Sequence, residues 1–399
     1  MSKIYLKRGR EESLKRFHPW IFSGAIHKVE GNPEEGDICE VISSDGEYFG
    51  AGHFQRGSIA VRMLCFDQSV FEDNFWRNRL SSALKLREKE VLNGTSETNA
   101  YRLIHGEGDM LPGLIIDYYD GVAVMQAHSA GMFHSRKSIS NALRDVYGSS
   151  LRAVYDKSSS TAPFKAGLNL GDGYIWGESL AKSIIKENGH LFMIDWEGGQ
   201  KTGFFLDQRV NRMLVKSHSN GKRVLNLFSY TGGFSIYALA GGAQLVDSVD
   251  SSKPAVEMLE KNVALNREAS LISTGQIHNS YCTDAIEFLK QSQIDQYDMI
   301  IVDPPAFAKH RDSLQNALRA YQRLNFEAIS KVSPGGVVFT YSCSQVVDRK
   351  SFTEAVFSAA ALSGREVRII GRLSQPADHP VSIYHPEGEY LKGLILYVE

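Results

Sequence analysis

Two short stretches carry side chains able to make and break bonds. In YDMIIVDPPAF an apolar run of strand length ends on Asp303, and Pro304 and Pro305 remove two backbone donors and fix the chain's direction, so the carboxylate is projected stiffly. In VVFTYSCSQ a second apolar run ends on Cys343. If those strands are neighbours, a thiol and a carboxyl flank one pocket. That pair suits attack on an electron-poor ring: a thiolate adds to C6 of a cytosine, and C5 of the enamine-like adduct displaces a methyl group from a sulfonium donor. A carboxyl near N3 and the exocyclic amine holds the ring and stabilises the developing charge, and removal of the C5 proton ejects the cysteine. A cysteine is by default a small buried hydrophobe, and Cys39 and Cys65 are read that way. Cys282 is also read as structural. The strand-end position sets Cys343 apart.

A second group of residues reads as a cofactor site. The loop Asn226–Ser235, NLFSYTGGFS, follows an apolar strand, and Gly232 and Gly233 let the backbone pass close to a ligand at a helix N-terminus. The next strand ends on Asp250, where a carboxylate can accept hydrogen bonds from both hydroxyls of a ribose. Asp284 follows a third short strand and is read as facing a base amine, with a solvent-facing loop aspartate as the alternative. KTGFFLDQRVNR, with Asp207, Gln208 and Arg209, either closes over the cofactor or caps a helix. No GxxxxGK[ST] loop is present to cradle a triphosphate. NAD stays open on geometry, but a nucleoside with a small charged tail, such as S-adenosylmethionine, suits this loop better.

These residues need a scaffold. From Lys222 onward strands and helices alternate, RVLNLF, LVDSVD, YDMIIV and GGVVFTY each leading into a helical run, which predicts an α/β fold with a mostly parallel sheet covered on both faces. Ligands of such sheets sit beyond the carboxyl ends of the strands. Upstream, ICEVI, YFGAGHF and SIAVRMLCF read as strands of a small β-rich domain. VFEDNFWRNRLSSALKLREKEV reads as a helix, LPGLIIDYYDGVAVMQAH as strands and Ser135 to Tyr147 as another helix, together a central α+β unit. The Gly- and Ser-rich stretch from Lys157 to Ser179 reads as loop. The boundaries drawn are 1–68, 69–188 and 189–399.

At 399 residues and 43% hydrophobic content the chain can support several packed cores. Its four cysteines show no CxxC spacing, and no metal site is expected. Neither a secretory signal nor a membrane span is visible, which fits a soluble cytoplasmic protein. A net charge of -2 gives no whole-chain case for binding a polyanion. The N-terminal stretch is nonetheless basic.

KTGFFLDQR, VLNLFSYTGGFS, SVDSS, YDMIIVDPPAF, TYSCS, ADHPV and PEGEYLKG, with RGREESLKRFHPWIFSGAI, resemble the PUA-containing cytosine-C5 methyltransferases of bacterial large-subunit ribosomal RNA. The likeness spans nearly the whole chain with motif order kept. It implies an N-terminal PUA domain for RNA, a central α+β domain and a class I, seven-stranded Rossmann-like methyltransferase domain. The nucleophile maps onto Cys343 and the acidic DPP residue onto Asp303. Contacts to S-adenosylmethionine map onto Asp207, Gln208 and Arg209, onto Phe228, Ser229, Tyr230, Thr231, Gly232 and Gly233, and onto Asp250, Ser251, Asp284, Ala285 and Asp303. The implied partner is 23S rRNA, with a homodimer left open. Lys7, Arg8, Arg10, Lys15 and Arg16 are assigned to phosphates, while Phe17, His18 and Trp20 offer stacking or packing surfaces. Pro305 and Ala306 stand where many other RNA cytosine-C5 methylases carry a second cysteine, and the base that removes the C5 proton is unassigned. Two other readings stand beside this one: methylation of a guanine nitrogen or of another RNA, and a non-catalytic RNA-binding assembly factor.

Overall fold

A computed structural model of the chain describes residues 1–163, 167–168, 170–179, 183–308 and 310–399. They form two compact units. The first comprises Met1–Lys186, Ile194–Leu206 and Ala377–Gly388, and the second Glu187–Met193, Asp207–Pro376 and Glu389–Glu399.

In the first unit a six-stranded sheet runs in the order Trp20–Phe22, Ile59–Cys65, Tyr48–Phe54, Ile38–Ile42, Lys3–Leu6, Ile26–Glu30. Three of these are the strands expected from apolar runs. The other three are short and lie in a charge-rich stretch, where no alternation announces them. Lys3–Leu6 pairs in parallel with Ile38–Ile42, which ties the basic N-terminal segment into the sheet. Ile4, Leu6, Leu14, Val41, Val61 and Met63 form its core, with Cys39 fully buried among them.

The same unit holds a five-stranded sheet, Gly173–Trp176, Ala153–Asp156, Val122–Ala127, Leu114–Tyr119, Ala100–His105, with helices Phe75–Arg87 and Arg136–Tyr147. The stretch from Lys157 to Ser179, expected as loop, contains the strand Gly173–Trp176, while Phe164–Ala166 and Asn169 lie outside the described residues. Buried ion pairs brace this part. Arg87 bonds both oxygens of Asp109, and Arg102 those of Asp117 at 2.8 and 2.9 Å. The ADHPV segment, Ala377 to Val381, also packs in this unit. Arg87 Nη2 donates to the Asp378 carbonyl at 2.9 Å, and Asp378 Oδ2 accepts from the Arg102 amide at 3.1 Å.

The second unit is built on a seven-stranded sheet: β1 (Arg223–Leu227), β2 (Leu245–Asp250), β3 (Ile277–Cys282), β4 (Tyr297–Val302), β5 (Val332–Ser342), β6 (Val367–Ser374) and β7 (Lys392–Val398). Its spatial order is β3-β2-β1-β4-β5-β7-β6. The first five strands are parallel, while β7 runs antiparallel to both β5 and β6. The helices are α1 (Arg209–His218), α2 (Gly233–Ala240), α3 (Lys253–Glu268), α4 (Ala285–Gln291), α5 (Leu314–Lys331) and α6 (Arg349–Ser363). Strands β1 to β5 follow the expected strand–helix rhythm. Most of β6 is solvent-facing, so its sequence lacks the buried-strand pattern that marks the others. Leu225, Ile300, Val338, Leu324, Phe352 and Leu396 belong to one core under α5 and α6.

Candidate active site

The strand order reverses at β1 and β4, and the crevice outside the carboxyl ends at such a reversal is where open α/β sheets bind ligands. Register puts the candidate residues at that edge. Leu227 pairs with Val249 and Val302, and Asp250 with Cys282. The loop after β1, Asp250 at the end of β2, and Asp284 after β3 therefore leave the sheet on one side. Val302 pairs with Thr340, so Asp303 after β4 and Cys343 after β5 emerge from adjacent parallel strands on the same edge.

The loop after β1 is conformationally unusual. Phe228, Tyr230 and Gly232 all have positive φ, at 58, 47 and 88°. Side-chain-bearing residues rarely adopt this region, and strain of this kind collects at ligand-binding turns. Asp250 holds the loop down: its Oδ2 accepts the Tyr230 amide and its Oδ1 the Ser252 amide, each at 2.9 Å. A carboxylate has about four lone-pair sites, so acceptor capacity remains for a diol. Ser229 Oγ is buried in the loop and finds no hydrogen-bond partner among the described residues. Thr231 is also buried, Gly233 opens α2, and Ser251 is exposed beside Asp250.

Asp284 caps α4: its Oδ1 accepts the amides of Ile286 and Glu287 at 2.9 Å, and Ala285 is the buried first residue of the helix. Asp207, Gln208 and Arg209 are buried at the start of α1. Tyr390 donates to Asp207 Oδ2 at 2.7 Å, while Gln208 Nε2 donates to Asp303 Oδ1 at 3.1 Å and its Oε1 accepts from Asn211 at 2.6 Å. The FFLDQR segment thus leads into a helix and, through Gln208, holds the Asp303 carboxylate. Cys343 is half-buried, with Sγ 4.0 Å from the Pro304 carbonyl, which joins the thiol to the DPP turn.

Two features of this unit left no readable signal in the sequence. Arg212 lies in a buried bidentate pair with Glu187, both bonds at 2.8 Å, and Tyr237 donates to the same carboxylate at 2.9 Å. Lys392, within the quoted PEGEYLKG, is buried beside the residues that follow Cys343. Cys282 departs from expectation: it ends an edge strand and is exposed, with Sγ 3.7 Å from the Ser251 carbonyl, so it packs into no core. Cys65, like Cys39, is buried as expected.

In the first unit Lys7, Arg8, Arg10, Lys15 and Arg16 are all exposed. Lys7 donates to the Gly24 carbonyl and Lys15 pairs with Glu12, each at 2.9 Å. Arg10, Trp20 and Phe22 line a concavity of about 410 Å³. Trp20 is half-buried, its Nε1 donating to Glu107 at 2.9 Å and its ring 4.3 Å from that of His385. Phe17, 46% exposed, packs on Tyr384. Among the described residues His18, His385 and Glu387 offer ligand atoms within 4.8 Å of one another. His385 Nε2 and Glu387 Oε2 are 3.9 Å apart, against about 3.4 Å for two ligands of a tetrahedral zinc. The His18 and His385 rings are tilted against each other at 5.6 Å, and Trp20 meets His385 edge-on.

A parallel five-strand core extended by an antiparallel β7, with an acidic residue ending β2 and a strained loop after β1, defines a nucleoside-binding methyltransferase fold. Residues 101–388 match the S-adenosylmethionine-dependent methyltransferase family and residues 4–66 a PUA-like domain. The chain belongs to that methyltransferase family, and S-adenosylmethionine is its cofactor. It is 41% identical over 398 residues to the protein named ribosomal RNA large subunit methyltransferase I of Aeromonas salmonicida, covering 98% of each chain. The protein of the same name in Photobacterium profundum is 39% identical, with 100% of both chains covered. A crystal structure described as a methyltransferase complexed with S-adenosylhomocysteine shares the fold over 100% of both chains, at a TM-score of 0.83 and 22% identity. The residues present fit the cofactor: the buried Ser229 hydroxyl lacks a partner among the described residues, and the Asp250 carboxylate stands at the strand end with acceptor capacity to spare.

Proposed function

We propose that the chain methylates C5 of a cytosine in 23S rRNA through a transient covalent adduct with Cys343. The observation that carries this reading is the pairing of β4 with β5, from whose ends Asp303 and Cys343 emerge side by side. The names of the relatives supply the RNA class.

The Cys343 thiolate attacks C6 of the target base, forming an S–C6 bond and raising electron density at C5. Asp303, oriented by Gln208, acts in its protonated form: its carboxyl donates to N3 and so neutralises the negative charge that thiolate addition builds there. S-adenosylmethionine, when bound, supplies the methyl group as a sulfonium electrophile. Transfer of the C5 proton to solvent water then expels Cys343 as thiolate and restores the C5–C6 double bond. Ser229, Asp250 and Asp284, with Asp207 to Arg209, Phe228, Tyr230 to Gly233, Ser251 and Ala285, form the cofactor's surroundings. Residues 1–68 act as an RNA-binding domain through Lys7, Arg8, Arg10, Lys15 and Arg16, residues 69–188 form a central domain, and 189–399 carry the chemistry. The target base has to be unstacked to reach the pocket, which RNA contacts outside the site assist. Among the described residues no helix is long and apolar enough to cross a membrane, and a cytoplasmic location accords with the RNA substrate.

The test is incubation with unmodified 23S rRNA and labelled S-adenosylmethionine, using wild type and Cys343→Ala, with the methylated nucleoside identified by mass spectrometry. The expected product is 5-methylcytidine, reduced at least about a thousandfold in the variant. Methylguanosine, or methylation that survives loss of Cys343, overturns the covalent mechanism.

A further inference from the structure

Lys392 is 4% exposed, a rare placement for a lysine, and it opens β7 directly across from Ser342, the last residue of β5. Its ammonium donates to the Ser344 carbonyl at 2.6 Å and to the Val347 carbonyl. Both carbonyls belong to the turn that begins with Cys343 and ends at Asp348, the cap of α6. The turn is pinned from the other side by Ser344 Oγ, which donates to the Ala308 carbonyl at 2.6 Å beyond the DPP motif. A buried cation costs stability unless something uses it, and two neutral carbonyls do not need a full charge.

We propose that Lys392 is the positioning and activating residue for Cys343: its buried ammonium locks the turn that carries the thiol and favours the thiolate by charge. The assignment rests on Cys343 being the nucleophile. Among the described residues the charged groups around Lys392, besides Cys343, are Asp348, Arg349 and Glu389. Asp348 and Arg349 lie on the turn and on α6, and Glu389 on the segment before β7. Arg349 and Glu389 pair with each other at 2.5 Å and the Ser351 amide donates to Asp348 at 2.7 Å; Cys343 is the largest favourable charge on the ammonium, and Asp303, from the end of adjacent β4, and Tyr321 are the other titratable groups beside the thiol. In support, burial pushes the Lys392 ammonium down to about 8, while the Cys343 thiolate opposes that shift. The cation is therefore the main form at neutral pH.

The experiment is iodoacetamide alkylation of the full-length protein across pH 5 to 10, with modification of Cys343 read by peptide mass spectrometry so that Cys39, Cys65 and Cys282 do not interfere. Wild type is expected to show a Cys343 midpoint below the ordinary thiol range of about 8.5. In Lys392→Met the midpoint rises by about one unit, so that alkylation at pH 7 slows about tenfold, and Lys392→Arg restores most of it. A purely structural lysine would lower melting temperature and methylation while leaving the midpoint where it was. That result overturns the proposal, and so does a wild-type midpoint at or above about 8.5, which needs no variant to fold. Product analysis is independent: 5-methylcytidine lost or absent speaks to the C5 reading, whereas the alkylation profile speaks to Lys392 alone.

Discussion

At the level of single residues, Asp250 shows how one side chain can serve fold and ligand together. Its two oxygens already accept the Tyr230 and Ser252 amides, so the carboxylate fixes the loop after β1 while keeping acceptor capacity for the proposed ribose contact. Asp250→Ala is expected to weaken S-adenosylhomocysteine binding by about 10- to 100-fold, the loss of charge-assisted hydrogen bonds worth about 1.5–3 kcal/mol. Calorimetric titration measures this. An unchanged affinity removes Asp250 from the cofactor site.

Among the elements, the loop from β1 to α2 is where backbone conformation limits the sequence most. Gly232 sits at φ 88°, and a Cβ built there would meet Leu259 Cγ at 2.8 Å, closer than real Cβ atoms come to a neighbour. Gly232→Ala is therefore strained in its own backbone and against α3. Stability should fall by about 2 kcal/mol, and cofactor affinity should fall further, because the turn's amides and the Ser229 hydroxyl move together. Urea unfolding with and without S-adenosylhomocysteine separates the two effects. Equal loss in both forms refutes a role in binding.

The same loop shows what the sequence made legible. Its glycines, the terminal acids of β2 and β4, and the cysteine ending β5 are visible because strand-end residues in a parallel sheet are placed by topology, and the topology follows from the apolar rhythm of β1 to β5. Strand β6 escaped notice because it is an exposed edge, and the Arg212–Glu187–Tyr237 network because its members are far apart in sequence. Exposure of Cys282 was also invisible, since a short edge strand has the composition of a buried one. Periodicity reports what a residue faces within its own element and says nothing about which distant side chain completes a buried pair.

Across the whole molecule, both units bury neutral imidazoles, and this sets the response to acid. In the first unit burial lowers His53 to about 3 and His128 to about 4, with Arg62 and Arg102 adding like-charge repulsion. In the second, burial lowers His190 and His278 to about 4, helped by Lys216 and Arg267. Between the unfolded value near 6.5 and these folded values, the unfolded chain binds more protons than the folded one, so stability rises with pH across that window and is lost as pH falls through it. Carboxylates act lower: Asp298, held below its usual range by hydrogen bonding from Arg223, keeps its charge until more acid conditions. Scanning calorimetry should therefore give a melting temperature that is level near pH 7 and falls by roughly 10 °C between pH 6.5 and 4, beginning above the carboxylate range. Among the described residues each unit carries at least two such histidines, and burial lowers His105 in the first unit as well, so any transition resolved for either should move in the same direction. A decline that starts only below about pH 4.5 would assign acid sensitivity to the carboxylates and leave the buried imidazoles without effect on it.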